Sequence, residues 1–190
     1  MKKLVIRFNA PVTIGFALLS LVVLILDGVT GGYTTTELFS VYRSSLADPL
    51  TYVRFFGHVL GHSSYSHYMG NMLLLLLVGP PLEEKYGGRT LLLSITITAV
   101  VTGLVHFIFF PSSALLGASG VIFMMIVLSS FTEMKKGGIP ITLILVVVLY
   151  LGQEILNGLS GADNISQLTH IVGGLCGIIF GFSFHRKRCI

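Results

Sequence analysis

Six apolar stretches dominate this chain, at approximately residues 10–27, 65–81, 89–110, 117–132, 139–157 and 165–184. Each comes near the ~20 residues that a helix needs to cross the hydrocarbon core of a bilayer. That pattern leaves few folds open. In lipid every backbone amide must be satisfied internally, so spanning segments become helices packed on helices. The sequence predicts an all-α, polytopic membrane protein, one domain over residues 1–190, with six transmembrane helices. Composition agrees with this: 53% of the residues are hydrophobic, only 11% are charged, and mean hydropathy is +0.88. A net charge of +4 could point to nucleic acid. The basic residues are scattered in pairs and triplets between apolar runs, however, so they read as topology signals and no nucleic-acid partner is expected.

Orientation follows from those basic residues. Lys2, Lys3 and Arg7 precede the first span; Lys85 and Arg89 lie between the second and third; Lys135 and Lys136 lie between the fourth and fifth; Arg186, Lys187 and Arg188 follow the sixth. Ten of the twelve basic residues thus fall on one side, leaving Arg43 and Arg54 on the other. The expectation is a plasma-membrane protein with both termini cytoplasmic. The N-terminal stretch mimics a signal peptide, but no small-residue cleavage site follows Leu26, so it is read as a retained span. The connection 28–64 holds Phe39, Tyr42, Leu50, Tyr52, Phe55 and Phe56, too many apolar groups for a solvated linker. It reads as a partly helical segment lying in the membrane interface. Cys176 and Cys189 stand 13 residues apart, ~20 Å along a helix, so no disulfide between them is expected.

This topology brings polar residues to one depth. The second, fourth and sixth spans all run inwards, and near their outer starts lie His67 and Asn71, Ser119, and His170. Polar groups inside a membrane are costly and face a cavity or one another. Ser119 lies between small residues in Gly117-Ala118-Ser119-Gly120, where a loop meets an apolar run. Its hydroxyl is open, and the unpaired amides of a helix start beside it suit a developing negative charge. His170 lies one turn before Gly173, and Gly173, Gly177 and Gly181 give that helix a face a neighbouring backbone can approach. If the neighbour carries Ser119, neutral imidazole can take the hydroxyl proton. His67 and Asn71, at i and i+4, can donate to an oxyanion together with the Ser119 amide. The blander alternatives are close helix packing through small residues and interhelical hydrogen bonds.

The chain supplies few metal ligands or acid partners for this layer. His58 and His62 share i, i+4 spacing, but Val59 stands where the metalloprotease pattern needs glutamate, so no metal or other cofactor is expected. Asp163 lies seven residues before His170, ~10 Å along a helix and too far for a direct hydrogen bond. Glu83, Glu84 and Glu133 belong to the cytoplasmic end, which leaves Glu154 as the only other acid near the outer layer. The residues favour a Ser–His dyad.

Together, Gly117-Ala118-Ser119-Gly120, His67-x-x-x-Asn71 and His170-x-x-Gly173-x-x-x-Gly177 resemble the three signatures of the rhomboid intramembrane serine proteases, from about Arg54 to the C-terminus. The resemblance implies Ser119 as nucleophile, His170 as base and acid, and His67, Asn71 and the Ser119 amide as oxyanion donors. Phe123 looks like the aromatic residue that packs against the base, where many members have tyrosine. Arg54 matches the arginine of the first-loop motif, while Val53 stands where tryptophan is usual. His58 and His62 resemble structural histidines of that loop, and Glu83 a structural glutamate near the cytoplasmic end. Gly120 completes the serine motif. The implied activity is a serine endopeptidase cleaving transmembrane segments of membrane proteins near their outer ends. Two other classes fit parts of the pattern: a non-catalytic rhomboid-like scaffold, and a small transporter. Against the transporter, the polarity gathers near one face and not at the midplane.

Overall fold

The computed structural model of the chain describes residues 9–132, 138–139, 141–146, 148–149 and 164–188. Among these it is helical, with an isolated bridge between Val41 and Leu115 and no strand. The main helices are α1 (Pro11–Val29), α2 (Pro49–Gly57), α3 (Tyr65–Tyr86), α4 (Gly88–Phe109), α5 (Ser119–Ser129), α6 (Ile141–Val146) and α7 (Asn164–Arg188). Among the described residues three segments are long and apolar enough to cross a membrane: Pro11–Val29, Gly88–Phe109 and Gln167–His185. They match the first, third and sixth expected spans. Their outer faces carry apolar side chains such as Leu18, Ile25, Leu93 and Ile179, all more than half exposed. Such faces suit lipid.

The other expected spans fare differently. α3 has the length, at 22 residues, but Glu83, Glu84 and Lys85 at one end and His67 and Asn71 at the other shorten its apolar part. α5 covers Ser119–Ser129, 11 residues against the expected 117–132. That is ~16 Å of helix, about half a bilayer core. Its residues explain the difference. Val121, Ile122, Met124, Met125, Val127 and Leu128 are all buried, so α5 is apolar all round because protein, not lipid, encloses it. Of the fifth stretch, α6 is described, and residues 140, 147 and 150–157 lie outside the described residues.

Contacts along α5 set the arrangement of its neighbours. A Cβ on Gly173 would strike the carbonyl oxygen of Gly120, one on Gly177 would meet Met124 and Val127, and one on Gly181 would meet the Phe131 ring. Residue numbers rise together, so α5 and α7 run parallel, backbone against backbone. The glycine face expected to seat a neighbour seats α5. α3 also runs parallel to α5: His67 lies against Gly117 at one end, and Lys85 Nζ donates to the Thr132 carbonyl at the other (2.8 Å). Three parallel helices therefore bring His67, Ser119 and His170 to one end of the bundle.

At the far end Glu83 ties α1 to α3. Its buried carboxylate accepts from the Val12 and Thr13 amides (2.9 Å each) and from Thr13 Oγ1 (2.8 Å). An anion thus satisfies the orphan donors of a helix N-terminus that has no cap of its own. Glu83→Ala should lower stability by about 3 kcal/mol, because buried donors lose their acceptor. Thermal unfolding in detergent measures this; an unchanged midpoint would show the contacts to be idle.

The connection 28–64 is partly helical, as expected, with a π-helical turn at Thr34–Leu38, α2, and a 3-10 turn at His58–Leu60. α2 buries Thr51, Arg54 and Phe55 and exposes Leu50, Tyr52, Val53 and Phe56.

Candidate active site

The segment that leads into α5 is held on both sides. Val41 and Leu115 exchange backbone hydrogen bonds of 2.8 Å, the Gly117 amide donates to the His58 carbonyl (2.9 Å), and His106 Nε2 lies 3.1 Å from the Ser113 carbonyl. The first loop therefore fixes where the chain turns into Ser119. Arg54 anchors that loop: its guanidinium, buried, donates to the Glu37 carbonyl (2.7 Å) and Asp48 Oδ2 (3.1 Å) and stacks over Tyr42 at 4.5 Å. Val53, in the place of the usual tryptophan, is exposed and takes no part in that anchorage.

Gly117 has φ +115°, which a side chain resists. It also has no room for one. A Cβ there would sit 2.9 Å from His67 Nε2 and 3.7 Å from Asn71 Nδ2. Both side-chain nitrogens thus converge beside the turn that delivers Ser119. Asn71 is buried, and its Nδ2 has no hydrogen-bond partner within the protein. A buried amide left in that state is costly unless something else occupies it.

Ser119 is the first residue of α5, so the first-turn amides lie unpaired beside its hydroxyl. His170 comes from α7, where Gly120 packs between Thr169 and Gly173. Its ring stacks flat on Phe123, with centroids 4.1 Å apart and an interplanar angle of 4°. A cavity of about 340 Å³ is lined by Ser119, His170, His67, Asn71 and Phe123, with Ser66, Gly70, Leu74 and Ile122. All the chemistry-bearing residues expected from sequence meet there. Gly120, Gly173 and Gly177 let the α5 and α7 backbones approach, Gly117 leaves room for the His67 ring, and Arg54 and Glu83 stand away from the cavity. Ser66, Gly70 and Leu74 were not anticipated as lining; their four-residue spacing beside His67 and Asn71 was the available signal. Glu154 and Asp163, the two acids nearest His170 in the expected layer, lie outside the described residues.

The first-loop histidines are buried and bonded to protein. His58 Nε2 lies 3.0 Å from the Ala99 carbonyl and His62 Nδ1 3.1 Å from the Leu60 carbonyl. Burial pushes each down to about 4. An unfolded chain takes up these protons near pH ~6.5, the folded one only near 4. Between those values the unfolded state binds more protons, so stability falls as pH falls, by an amount on the order of 3 kcal/mol per histidine. Unfolding midpoints measured in detergent from pH 7 to 4 should drop across that window and level off below it. A His58→Gln variant, which keeps a donor for Ala99, should flatten the slope; a slope unaltered by it would put the effect elsewhere.

The fold and the cavity define a helical membrane protein in which a serine and a histidine line one cavity near one end of a parallel helix trio. The Rhomboid domain family model matches residues 49–187, and the chain belongs to the rhomboid family. It is similar to Rhomboid-related protein 2 of Mus musculus, 28% identical over 159 residues, covering 73% of this chain and 52% of that one. It is also similar to Rhomboid-related protein 1 of Caenorhabditis elegans, 31% identical over 143 residues, 68% of this chain and 39% of that one. Rhomboid-like protein 15 of Arabidopsis thaliana is 25% identical over 174 residues, 80% of this chain and 41% of that one. The matches thus span about half or less of each relative's length.

Proposed function

We propose that this chain is an intramembrane serine endopeptidase acting through a Ser119–His170 dyad. One observation carries the reading: three parallel helices open a single cavity onto Ser119, His170, His67 and Asn71, with the Asn71 amide unsatisfied by protein. His170, neutral, takes the proton of the Ser119 hydroxyl as its oxygen attacks a peptide carbonyl. The new C–O bond pushes charge onto the carbonyl oxygen, where Asn71, His67 and the Ser119 amide donate. The imidazolium then protonates the departing amine, and the C–N bond breaks to leave an ester on Ser119. Water, deprotonated by the same imidazole, hydrolyses the ester and regenerates the hydroxyl. No cofactor enters any step.

The substrates are transmembrane segments of other membrane proteins, single-pass or otherwise. A helical segment keeps its amides paired internally, so it must unwind before a carbonyl can meet Ser119. Segments with Gly, Pro or other poor helix formers near their outer ends are favoured. The topology that goes with this reading has six spans, both termini in the cytoplasm, and the cavity opening outwards in the plasma membrane, with the connection 28–64 in the interface. Its support is the placement of ten basic residues on one side.

A fluorophosphonate probe tests the reading directly, since it bonds covalently to an activated serine. The expected result is stoichiometric labelling of Ser119, lost in Ser119→Ala and strongly slowed in His170→Ala. Failure of the wild-type chain to label would leave the non-catalytic scaffold in place of the protease.

A further inference from the structure

His67 enters the site with a choice of two tautomers, and only one can serve an oxyanion. A neutral imidazole carries its proton on one ring nitrogen, and which one is set by what the other nitrogen meets. Nε2 is the atom that faces Gly117 beside Asn71. If it carries the proton it donates; if it does not, its lone pair meets the developing negative charge and repels it. Nδ1 therefore decides the outcome, and Nδ1 lies 3.1 Å from Ser63 Oγ.

Two consecutive serines hold this histidine. Ser64 caps α3, its hydroxyl accepting from the His67 amide at 3.1 Å, which fixes the backbone. Ser63, one residue earlier, reaches the ring of the same residue. The His62 ring packs edge-on against His67, with centroids 5.1 Å apart, and limits its swing. Ser63 has no need to be polar for the cap, which Ser64 supplies, and it is exposed. The cavity-lining residues do not include it.

We propose that Ser63 is a positioning residue: its hydroxyl donates to Nδ1 of His67 and fixes the tautomer whose Nε2–H faces the Ser119 cavity. The inference rests on His67 acting as an oxyanion donor in the proposed proteolysis. Without Ser63 the Nδ1 position falls to mobile water, which no backbone holds in place beside the ring, and the ring divides between its two forms. One lost hydrogen bond of ordinary strength corresponds to about a fivefold change. Because the charge exists only in the transition state, the loss falls on kcat.

Two measurements on the full-length protein in detergent test this. In the first, ¹⁵N-histidine labelling with two-bond proton–nitrogen correlation reads which ring nitrogen bears hydrogen, the His67 signal being identified by its loss in His67→Gln. The expected result is an Nε2–H form in the wild type and in Ser63→Thr, and a mixture in Ser63→Ala. In the second, cleavage of a transmembrane substrate by Ser63→Ala should show kcat about fivefold lower with KM unchanged, restored in Ser63→Thr. Adding Ser63→Ala to His67→Ala should cost nothing further, because the positioned group is already gone. A wild-type Nδ1–H form, a tautomer indifferent to Ser63→Ala, or an equal loss in the His67→Ala background would each overturn the proposal. Absence of cleavage by the wild type would instead overturn the protease reading, and the nitrogen spectra would still decide the role of Ser63.

Discussion

Ser119→Ala is expected to abolish cleavage of a reconstituted transmembrane substrate, by at least about 10³-fold in kcat/KM. The substitution removes one half-buried hydroxyl from the first turn of α5 and changes no packing contact that holds α5 against α7. Stability should therefore stay within roughly 0.5 kcal/mol of the wild type. That separation matters, since loss of activity with loss of fold would say nothing about chemistry. Turnover by the variant equal to that of the wild type, at an equal unfolding midpoint, would end the assignment of Ser119 as nucleophile. What residual rate remains reports the Asn71 and His67 donors and substrate positioning, which survive the change.

The second large effect is expected at Gly173, which touches no substrate. A Cβ there meets the Gly120 carbonyl oxygen, and a backbone atom cannot rotate aside as a side chain can. Gly173→Val must push α7 away from α5 just below His170 and Ser119. Overpacking of this kind costs about 1–3 kcal/mol, and a displacement of ~1 Å in a reacting pair can cost ~10² in rate. Gly181→Val supplies the comparison, because it meets the Phe131 ring at the opposite end of the same contact. Both variants should unfold at lower temperature, but only Gly173→Val should slow fluorophosphonate labelling of Ser119 by about 10²-fold. Labelling of Gly173→Val at the wild-type rate would mean that the two helices do not set the distance between serine and base.

Both predictions depend on facts of two different kinds. Hydropathy is a property of each stretch by itself, so α1, α4 and α7 could be marked from the chain alone to within a few residues. The charged residues that shorten α3 were legible in the same way. His67, Asn71, Ser119 and His170 line one cavity, and each lies near the start of an apolar stretch, which is legible in the chain. The glycine spacing 173, 177, 181 announced a close partner for α7, but not which one.

What packing alone decided is where those partners lie. α5 reads as a spanning segment because apolar residues surround it on every side, and hydropathy cannot tell lipid from protein as the cause. Only the tertiary structure shows that neighbouring protein encloses the 11 residues Ser119–Ser129. The same holds for the first loop. The four-residue spacing of Arg54, His58 and His62 does not say what they hold, yet Arg54, His58 and the Val41–Leu115 bridge fix the turn that presents Ser119. Gly117 shows the division most clearly. Its place in the serine motif is written in the sequence, but its φ of +115° and the imidazole that fills the space of its missing side chain exist only once α3 lies against the loop before α5. Local chemistry chose the residues, and long-range packing brought their reactive atoms to one cavity.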